Sequence, residues 1–293
     1  MRLLRATVSL IIILTTVLLS AFFQPAFAKQ NKIIVGSNVE VINEFISLYK
    51  SKDCRGETPI KSFKQHQRQL FELVILCRAF RDTIYYLDIV NSGNYERTLL
   101  LTKNGQVDIH GETIWLAESD NRYFYLTSAL LNKSDIEFGL FFKKGNQNIH
   151  SSTSFDDLKR LSAVTQLGWK IDRKILAKLA IRDVYYASNT SSMFKMVDRG
   201  RVDFMLWSFS GQADLSIFNN DIKLIPIENL KVSALDSRHF AISKKSRYAF
   251  ELAQIISKYL LKIRKSGELE RNLIKSNIKS PYVSHWQIHT LTD

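Results

Sequence analysis

The chain has 293 residues, 45% of them apolar, which is enough for one large domain or two ordinary ones and excludes a mainly disordered protein. Its net charge is +13, and the basic residues are scattered without a nucleic-acid-binding motif, so we expect no nucleic-acid partner. Such a charge fits a solvated surface, attraction to anionic lipid or wall polymer, or an anionic ligand.

The first 28 residues have the pattern of a secretory signal peptide. Two arginines precede the apolar run Ala6–Phe23, and a small-residue Ala-x-Ala pattern ends at Ala28. We expect cleavage before Lys29 and a periplasmic or secreted protein of net charge +11, because the removed segment carries two arginines and no acidic residue. The alternative is an uncleaved membrane anchor, since the apolar run comes close to a spanning length.

Cys54 and Cys77 are the only cysteines. In an exported chain they can form one disulfide, which would contribute roughly 3 kcal/mol of stability where the geometry permits it. A pair of buried free thiols is the alternative. No Cys or His spacing typical of a metal site accompanies them, so we predict neither a metal nor another cofactor.

A strand is predicted at Lys32–Gly36, and a polar turn separates it from the amphipathic run Val39–Tyr49. The turn consists of Ser37 and Asn38. Loops at strand ends of open α/β sheets reach the ligand, which makes both residues candidate ligand contacts. Helix capping is the alternative role for both.

The next elements are a helix at Gln67–Phe80, a strand at Thr83–Val90 and a helix at Tyr95–Lys103. The last of these leads into Leu99–His110, a fainter copy of the later stretch Phe194–Ser210. In each copy an apolar helical pattern stops at a Gly, and Val, Asp and a large apolar residue then begin a strand. Two such units predict two α/β lobes with a ligand cleft between them.

Glu112, Thr113 and Trp115 follow the first unit at a strand end, where they could form a cleft wall. Trp115 could stack on a ligand or lie partly buried in the core. The neighbouring His110 and Glu112 could be read as an acid/base pair, although such neighbours are common by chance.

Strands are predicted at Ile136–Lys143, Leu161–Leu167 and Asp183–Ala187, with a helix at Ile171–Leu179. The polar loop Ser188–Ser192 precedes the second unit. Its side chains and free backbone N–H groups can hold a polar or anionic ligand group, or simply cap the helix.

The last predicted strands are Lys223–Pro226 and Phe240–Ser243, followed by helices at Arg247–Arg264 and Leu269–Ile274. The tail Ser280–Asp293 is predicted either to pack on the body or to fray, and no chemistry is assigned to it.

Four stretches stand in a specific order, namely Asn104–Ile109, Phe138–Gly145 with Ser154–Leu158, Met193–Phe204, and Arg238–Lys244 with Ser266–Leu269. In this order they resemble the type II periplasmic solute-binding proteins, in particular the amino-acid-binding branch known as family 3. The resemblance implies an α/β fold of two lobes, each a mixed, mostly parallel sheet flanked by helices.

The same resemblance implies a first lobe at residues 29–142, a second lobe at 143–236 and a return to the first lobe at 237–293. Two crossing strands, near Glu137–Phe142 and Ser237–Ser243, would form a hinge that closes around a ligand.

Two positions depart from the family pattern. Where amino-acid binders place an Arg for the ligand carboxylate, this chain has Asp120, with Arg122 two residues further on. Where they place an Asp for the ligand ammonium, it has Ser208. An ordinary α-amino acid is therefore not the expected ligand, and Arg122 serves either an acidic ligand group or a surface ion pair.

The leading hypothesis is a monomeric, non-catalytic protein that binds a small polar or aromatic-bearing solute and serves an ABC-type importer or a membrane sensor. An envelope interaction module that has lost small-molecule binding is the alternative. An enzyme is the third reading, and it lacks a nucleophile with a base or a metal set. The predicted ligand contacts are Ser37, Asn38, Glu112, Thr113, Trp115, Arg122, Gln166, Trp169, Asn189, Thr190, Trp207 and Ser208.

Overall fold

The computed structural model describes residues 31–63, 67–150 and 153–289. The predicted signal peptide at 1–28 and its cleavage site lie outside the described residues. The described chain is a mixture of helices and strands, and its strands form two large sheets and one short pair.

The elements are named in chain order. The strands are β1 (Asn31–Ser37), β2 (Tyr85–Asn91), β3 (Ile109–His110), β4 (Ile114–Trp115), β5 (Phe124–Leu126), β6 (Glu137–Phe142), β7 (Ser162–Gln166), β8 (Asp183–Ala187), β9 (Phe204–Ser208), β10 (Ile217–Asn219), β11 (Ile222–Ser233), β12 (Arg238–His239), β13 (Ala241–Ser243) and β14 (Gln287–His289). The α-helices are α1 (Val39–Tyr49), α2 (Gln67–Phe80), α3 (Tyr95–Asn104), α4 (Lys170–Lys178), α5 (Thr190–Asp198), α6 (Ala249–Lys265) and α7 (Glu268–Lys275). Short 3-10 helices occupy Leu116–Glu118, Lys133–Asp135, Asp157–Arg160 and Pro281–Val283.

The first sheet has the strand order β2-β1-β3-β13-β5. β1 is parallel to β2 and β3, whereas β13 is antiparallel to β3 and β5. Helices α1, α2 and α6 bury their apolar faces against this sheet, and the stretch Leu73–Cys77 of α2 is wholly inaccessible to solvent. A parallel sheet needs such cover, and its apolar strands are therefore buried.

The second sheet has the order β10-β11-β6-β9-β7-β8, and β14 pairs in parallel with β11. Its two faces have separate apolar cores, one around Ile175 of α4 and one around Phe194 of α5. Because each sheet has its own apolar packing and flanking helices, the predicted two-lobed α/β architecture is confirmed.

The two glycines of the repeated helix-to-strand unit have the same physical role. Gly105 follows α3 with φ of 79°, and Gly200 follows α5 with φ of 64°. Glycine adopts this left-handed conformation without the steric cost of a Cβ, so it ends the helix and turns the chain toward the next strand.

Cys54 and Cys77 form a disulfide, with their Cα atoms 4.7 Å apart. The predicted disulfide is therefore confirmed, and it ties the loop after α1 to helix α2.

The two crossing segments differ in where their strands lie. Glu137–Phe142 is β6, an interior strand of the second sheet, while Ser237–Ser243 contains β12 and β13, of which β13 lies in the first sheet. The predicted lobe limits in residue numbers stay a prediction.

The end of the segment predicted to return to the first lobe, 237–293, contacts the second sheet. Strand β14 pairs with β11 of the second sheet, and the buried Lys231 donates from Nζ to the Val283 carbonyl oxygen at 2.8 Å. The tail therefore crosses back to the second lobe, because an otherwise open edge of β11 offers it backbone partners.

Among the described helices, none combines the length and the apolarity that crossing a membrane would need.

Candidate functional site

The first-lobe wall of the site lies at the ends of β1 and β3. Gly111 donates its backbone N–H to the Gly36 carbonyl oxygen at 2.8 Å, and a Cβ on Gly111 would collide with that oxygen. This close approach, which only glycine permits, sets the segment from Glu112 to Trp115 beside the turn at Ser37 and Asn38.

Both residues of the turn already form hydrogen bonds within the protein. The Ser37 side chain is buried, and its carbonyl oxygen accepts from the Ser92 N–H at 2.9 Å. Asn38 caps α1 by accepting from the Val41 N–H at 2.8 Å. The capping role predicted as the alternative for Asn38 is therefore the one that the structure shows.

A cluster of charged side chains lies behind this wall. On α2, Arg68 contacts Glu72 at 2.8 Å and Glu112 at 3.2 Å. From β12, Arg238 donates from Nε to the Thr113 hydroxyl at 2.9 Å and from Nη2 to the Thr113 carbonyl oxygen. Thr113 in turn donates its backbone N–H to Glu72 at 3.0 Å and its hydroxyl to the same carboxylate. These residues are called the ion cluster below.

Burial makes the ion cluster electrostatically strong. The Glu72 side chain is fully buried, and those of Arg238 and Glu112 are 6% and 8% exposed, while Arg68 is 30% exposed. Burial alone would lower the pKa of Arg68, but attraction to Glu72 and Glu112 more than offsets it and raises that pKa. Both carboxylates therefore have a cationic partner within the protein.

Trp115 joins the two lobes. The Arg238 guanidinium lies 4.5 Å from the centre of its ring, and the same ring packs against the second-lobe core around Ile175. The indole is partly buried, in line with the core role.

The predicted acid/base reading of His110 and Glu112 finds no support in the hydrogen bonding. The His110 ring is wholly buried, and its Nδ1 lies 2.8 Å from the Glu112 backbone carbonyl oxygen, not at the carboxylate. Burial lowers the pKa of His110, which keeps the ring neutral.

The second-lobe wall is aromatic. The ring centres of Trp169 and Trp207 are 5.8 Å apart, and Phe194 meets Trp207 edge to face at 5.7 Å. Both indoles are half-buried, so the pair combines packing in the core with an exposed ring surface. Stacking on a planar or apolar ligand group is the chemistry that such rings offer.

The polar residues of this wall are partly engaged with one another. Gln166 donates to the Thr190 hydroxyl at 3.2 Å, and Asn189 caps α5 through the Ser192 N–H at 2.9 Å. Ser208 ends β9, where it pairs with Phe138 of β6. The capping role of Asn189 leaves its amide group for a second contact, a 3.3 Å bond to the Ser188 hydroxyl.

The two walls approach each other closely at one place. A Cβ on Gly168, in the loop after β7, would lie 3.8 Å from the Glu96 carboxylate in the first turn of α3. The loop that carries Trp169 therefore faces the first lobe across the cleft.

Arg122 lies apart from the ion cluster. Its side chain is 75% exposed and forms an ion pair with Asp120 at 2.6 Å in its own turn, which holds the pKa of Asp120 at about 2. Of the two roles predicted for Arg122, the surface ion pair is the one with contacts in the structure.

A cavity of about 490 Å³ opens between the lobes near the crossing segment. Asp236, next to the crossing segment, accepts from the Ala117 N–H of the first lobe at 2.7 Å. None of the predicted ligand contacts lines this cavity, whose lining residues are Ala117, Ile171, Lys174, Ala177, Lys178, Leu235 and Asp236.

Within the described ranges, no group of three or more His, Cys, Asp or Glu side chains is arranged to hold a metal ion.

Sequence reasoning missed Arg68, Glu72 and Arg238. Arg68 and Glu72 stand four residues apart on a predicted helix, a spacing that signals an ion pair. Arg238 is 125 residues from its partner Thr113, and no local sequence pattern predicts that contact.

No family model matches the sequence, and no curated protein matches it. Solved structures do match. The probable amino-acid ABC transporter extracellular-binding protein from Bacillus subtilis has a TM-score of 0.59 and 17% identity over 86% of this chain and 100% of its own.

Two further structures are similar over comparable lengths. Substrate binding domain 2 of GlnP from Lactococcus lactis, in an open conformation, has a TM-score of 0.54 and 14% identity over 86% of this chain and 97% of its own. A mutant of ArgBP from T. maritima has a TM-score of 0.53 and 15% identity over 84% of this chain and 94% of its own. The chain therefore has the two-lobed type II binding-protein fold that its sequence motifs predict.

Proposed function

We propose that the protein binds a small polar solute in the cleft between its lobes without catalysing a reaction. The observation that carries the proposal is the pairing of two unlike walls at the ends of the strands. One wall presents the ion cluster and Trp115, and the other presents Trp169 and Trp207. Ligands of open α/β sheets bind at such strand ends.

The ion cluster argues against an ordinary α-amino acid as the ligand. A free carboxylate would need a cationic partner, and the two arginines of this wall already contact Glu72, Glu112 and Thr113. To bind, the ligand would have to displace a buried carboxylate from Arg68 or Arg238 and leave that charge without its partner, which is costly. A neutral polar ligand with a planar or apolar part suits the two walls better.

The lobes in this proposal are residues 29–142 with 237–293, and 143–236, and the tail at 281–289 of the returning segment packs on the second lobe. Closure about the crossing segments would bring the aromatic wall onto the ligand. Export, an importer or a sensor as partner, and a monomeric state belong to the same proposal, supported by the fold shared with extracellular-binding proteins of ABC transporters.

The test is a ligand screen on the form that begins at Lys29. Native mass spectrometry would detect a co-purified solute, and thermal shift would be measured with amino acids, organic acids, amines, nucleosides and short peptides. A concentration-dependent rise in Tm identifies the ligand class, because a ligand that binds only the folded protein stabilises it.

Variants separate the cleft from the rest of the surface. With a ligand in hand, Trp207→Leu should weaken its binding and Arg122→Gln should not. If no compound of the panel raises the Tm and native mass spectrometry finds no co-purified solute, the proposal is rejected and the interaction module is favoured. Turnover of any panel compound that Glu112→Gln abolishes would instead indicate an enzyme.

A further inference from the structure

The exposed side of helix α6 carries large apolar side chains between lysines. Phe250 is 60% exposed and Leu261 is 57% exposed. They are eleven residues apart, which is close to three helical turns, so they lie along one side of the helix. Lys258 and Lys265 are exposed beside them.

The same surface continues onto the first sheet. Tyr125, in the edge strand β5, lies edge to face with Phe250 at 5.8 Å between ring centres, and Lys244 Nζ lies 4.8 Å from the Tyr125 ring centre. The α6 face is defined here by Lys244, Tyr125, Phe250, Lys258, Leu261 and Lys265.

Its charge is almost entirely positive. Lys245, Arg247 and Lys262 are also exposed around it. Within the part of the chain that the structure describes, Lys258 and Lys265 have no acidic partner. Glu251 is the acidic residue of α6, and the Tyr85 hydroxyl bonds to it. The face therefore has cations available for an anionic partner.

The described chain begins beside this face. The Tyr248 hydroxyl donates to the Asn31 side chain at 2.8 Å, and the Arg247 guanidinium lies 5.3 Å from the Tyr248 ring centre. Seven residues separate the apolar run Ala6–Phe23 from Asn31, so the two are at most roughly 29 Å apart along the chain. If that run were attached and in a membrane, Asn31 would lie within that distance of the lipid.

We propose that the α6 face is a docking surface for an anionic phospholipid membrane. Lysines at such a surface are attracted to acidic headgroups, while exposed Phe, Tyr and Leu side chains enter the headgroup region. The binding is peripheral and reversible, because the rest of the apolar side of α6 is buried in the protein core.

An acidic protein would satisfy the lysines as well, but two observations favour lipid. Phe250 and Leu261 are more than half exposed instead of lining a pocket, and Asn31, the first described residue, bonds to Tyr248 next to the same helix. Aromatic and basic side chains alternating on a protruding surface suit the graded polarity of a membrane interface.

The test measures binding of the form that begins at Lys29 to vesicles, since an attached apolar run would bind lipid by itself. Vesicles with 30% phosphatidylglycerol in phosphatidylcholine are compared with pure phosphatidylcholine by co-sedimentation at low and high NaCl. Binding is expected only to the anionic vesicles and is expected to be lost at high salt.

Matched variants locate the surface. Lys258→Gln with Lys265→Gln should weaken vesicle binding about 25-fold, since each basic residue near an anionic membrane contributes about fivefold. Lys144→Gln with Lys195→Gln removes the same charge from exposed second-lobe positions and should have little effect. Phe250→Ser should also weaken binding, whereas Phe218→Ser, at a similarly exposed ring in the second sheet, should not.

Three outcomes would overturn the proposal. They are absence of vesicle binding, equal losses in the two lysine pairs, and binding to polyglutamate but not to vesicles, which would identify an acidic polypeptide as the partner. No small ligand takes part in the assay, so a failed ligand screen and a failed vesicle assay are separate results.

Discussion

The two walls of the cleft are built on opposite principles. In the first lobe, Arg68, Glu72, Thr113 and Arg238 satisfy one another, and little of their charge is available to a ligand. In the second lobe, Trp169 and Trp207 present half-exposed rings, and neither ring has a charged partner within the described part of the chain. The first wall therefore mainly supports the fold, while the second offers exposed surface to the solute that we propose.

The largest expected effect comes from breaking the ion cluster. Glu72→Gln removes the buried carboxylate that both Arg68 and Arg238 approach, and it should lower the free energy of unfolding by about 3 to 5 kcal/mol. Urea unfolding at pH 7 measures this loss. Glu228→Gln, at an exposed position, is the control and should change stability by less than about 0.5 kcal/mol. A loss near that of the control would mean that the cluster does not support the fold.

A smaller effect should appear in the second lobe as a dependence on pH. Burial raises the pKa of Asp172, in the first turn of α4, to about 7, above its ordinary value. The folded protein then holds a proton that the unfolded chain releases, so this contribution is complete below about pH 4 and is lost as pH rises toward 7.

Asp172→Asn should therefore leave stability nearly unchanged at pH 4 and raise it by up to about 4 kcal/mol at pH 8. Thermal unfolding of both proteins from pH 4 to 8 gives the comparison. The titration of His110 is common to both and cancels in the difference. Parallel curves for the two proteins would contradict the prediction.

The aromatic wall is tested by affinity. Trp169→Leu should weaken binding of an identified ligand about tenfold through lost ring contact, with a modest loss of stability. Trp286→Leu is the matched control, because that indole packs on Phe209 at 5.4 Å in the same lobe and is not part of the wall. Calorimetric titration should show weaker binding for the first variant alone. If Trp169→Leu binds the ligand as tightly as the unchanged protein does, Trp169 does not contact the ligand.

The smallest effect is expected at Arg122. Since its contact is an exposed ion pair with Asp120, Arg122→Gln should change stability by less than about 0.5 kcal/mol and leave ligand affinity unchanged. The same unfolding and titration measurements apply. A clear loss of ligand affinity in Arg122→Gln would indicate that Arg122 contacts the ligand.

Much of the fold could be predicted because its signals are local. Asp183–Ala187 is a strand with the predicted bounds, since β-branched and aromatic residues form a run between polar turns. Gly105 and Gly200 ended helices as expected because the left-handed turn depends on that residue alone. The disulfide followed from having two cysteines in a chain with an export signal.

The candidate site was harder to predict because its contacts join distant segments. The Arg238 contact to Thr113 depends on β12 pairing with β4, and β14 pairs with β11 across 57 residues. Asn38 and Asn189 have residue types that suit both capping and ligand binding, and sequence cannot choose between these uses. Arg122 was a candidate by family position alone, whereas the structure places its partner two residues away.

Because the tail packs on the second lobe, the distance between the two ends of the described chain reports the separation of the lobes. The described chain starts with Asn31 in the first sheet and ends with His289 beside β11 of the second sheet. A donor and an acceptor dye attached at the two ends would therefore sit on different lobes. Their energy transfer would report any change in the distance between the lobes, with every residue of the cleft left in its native form.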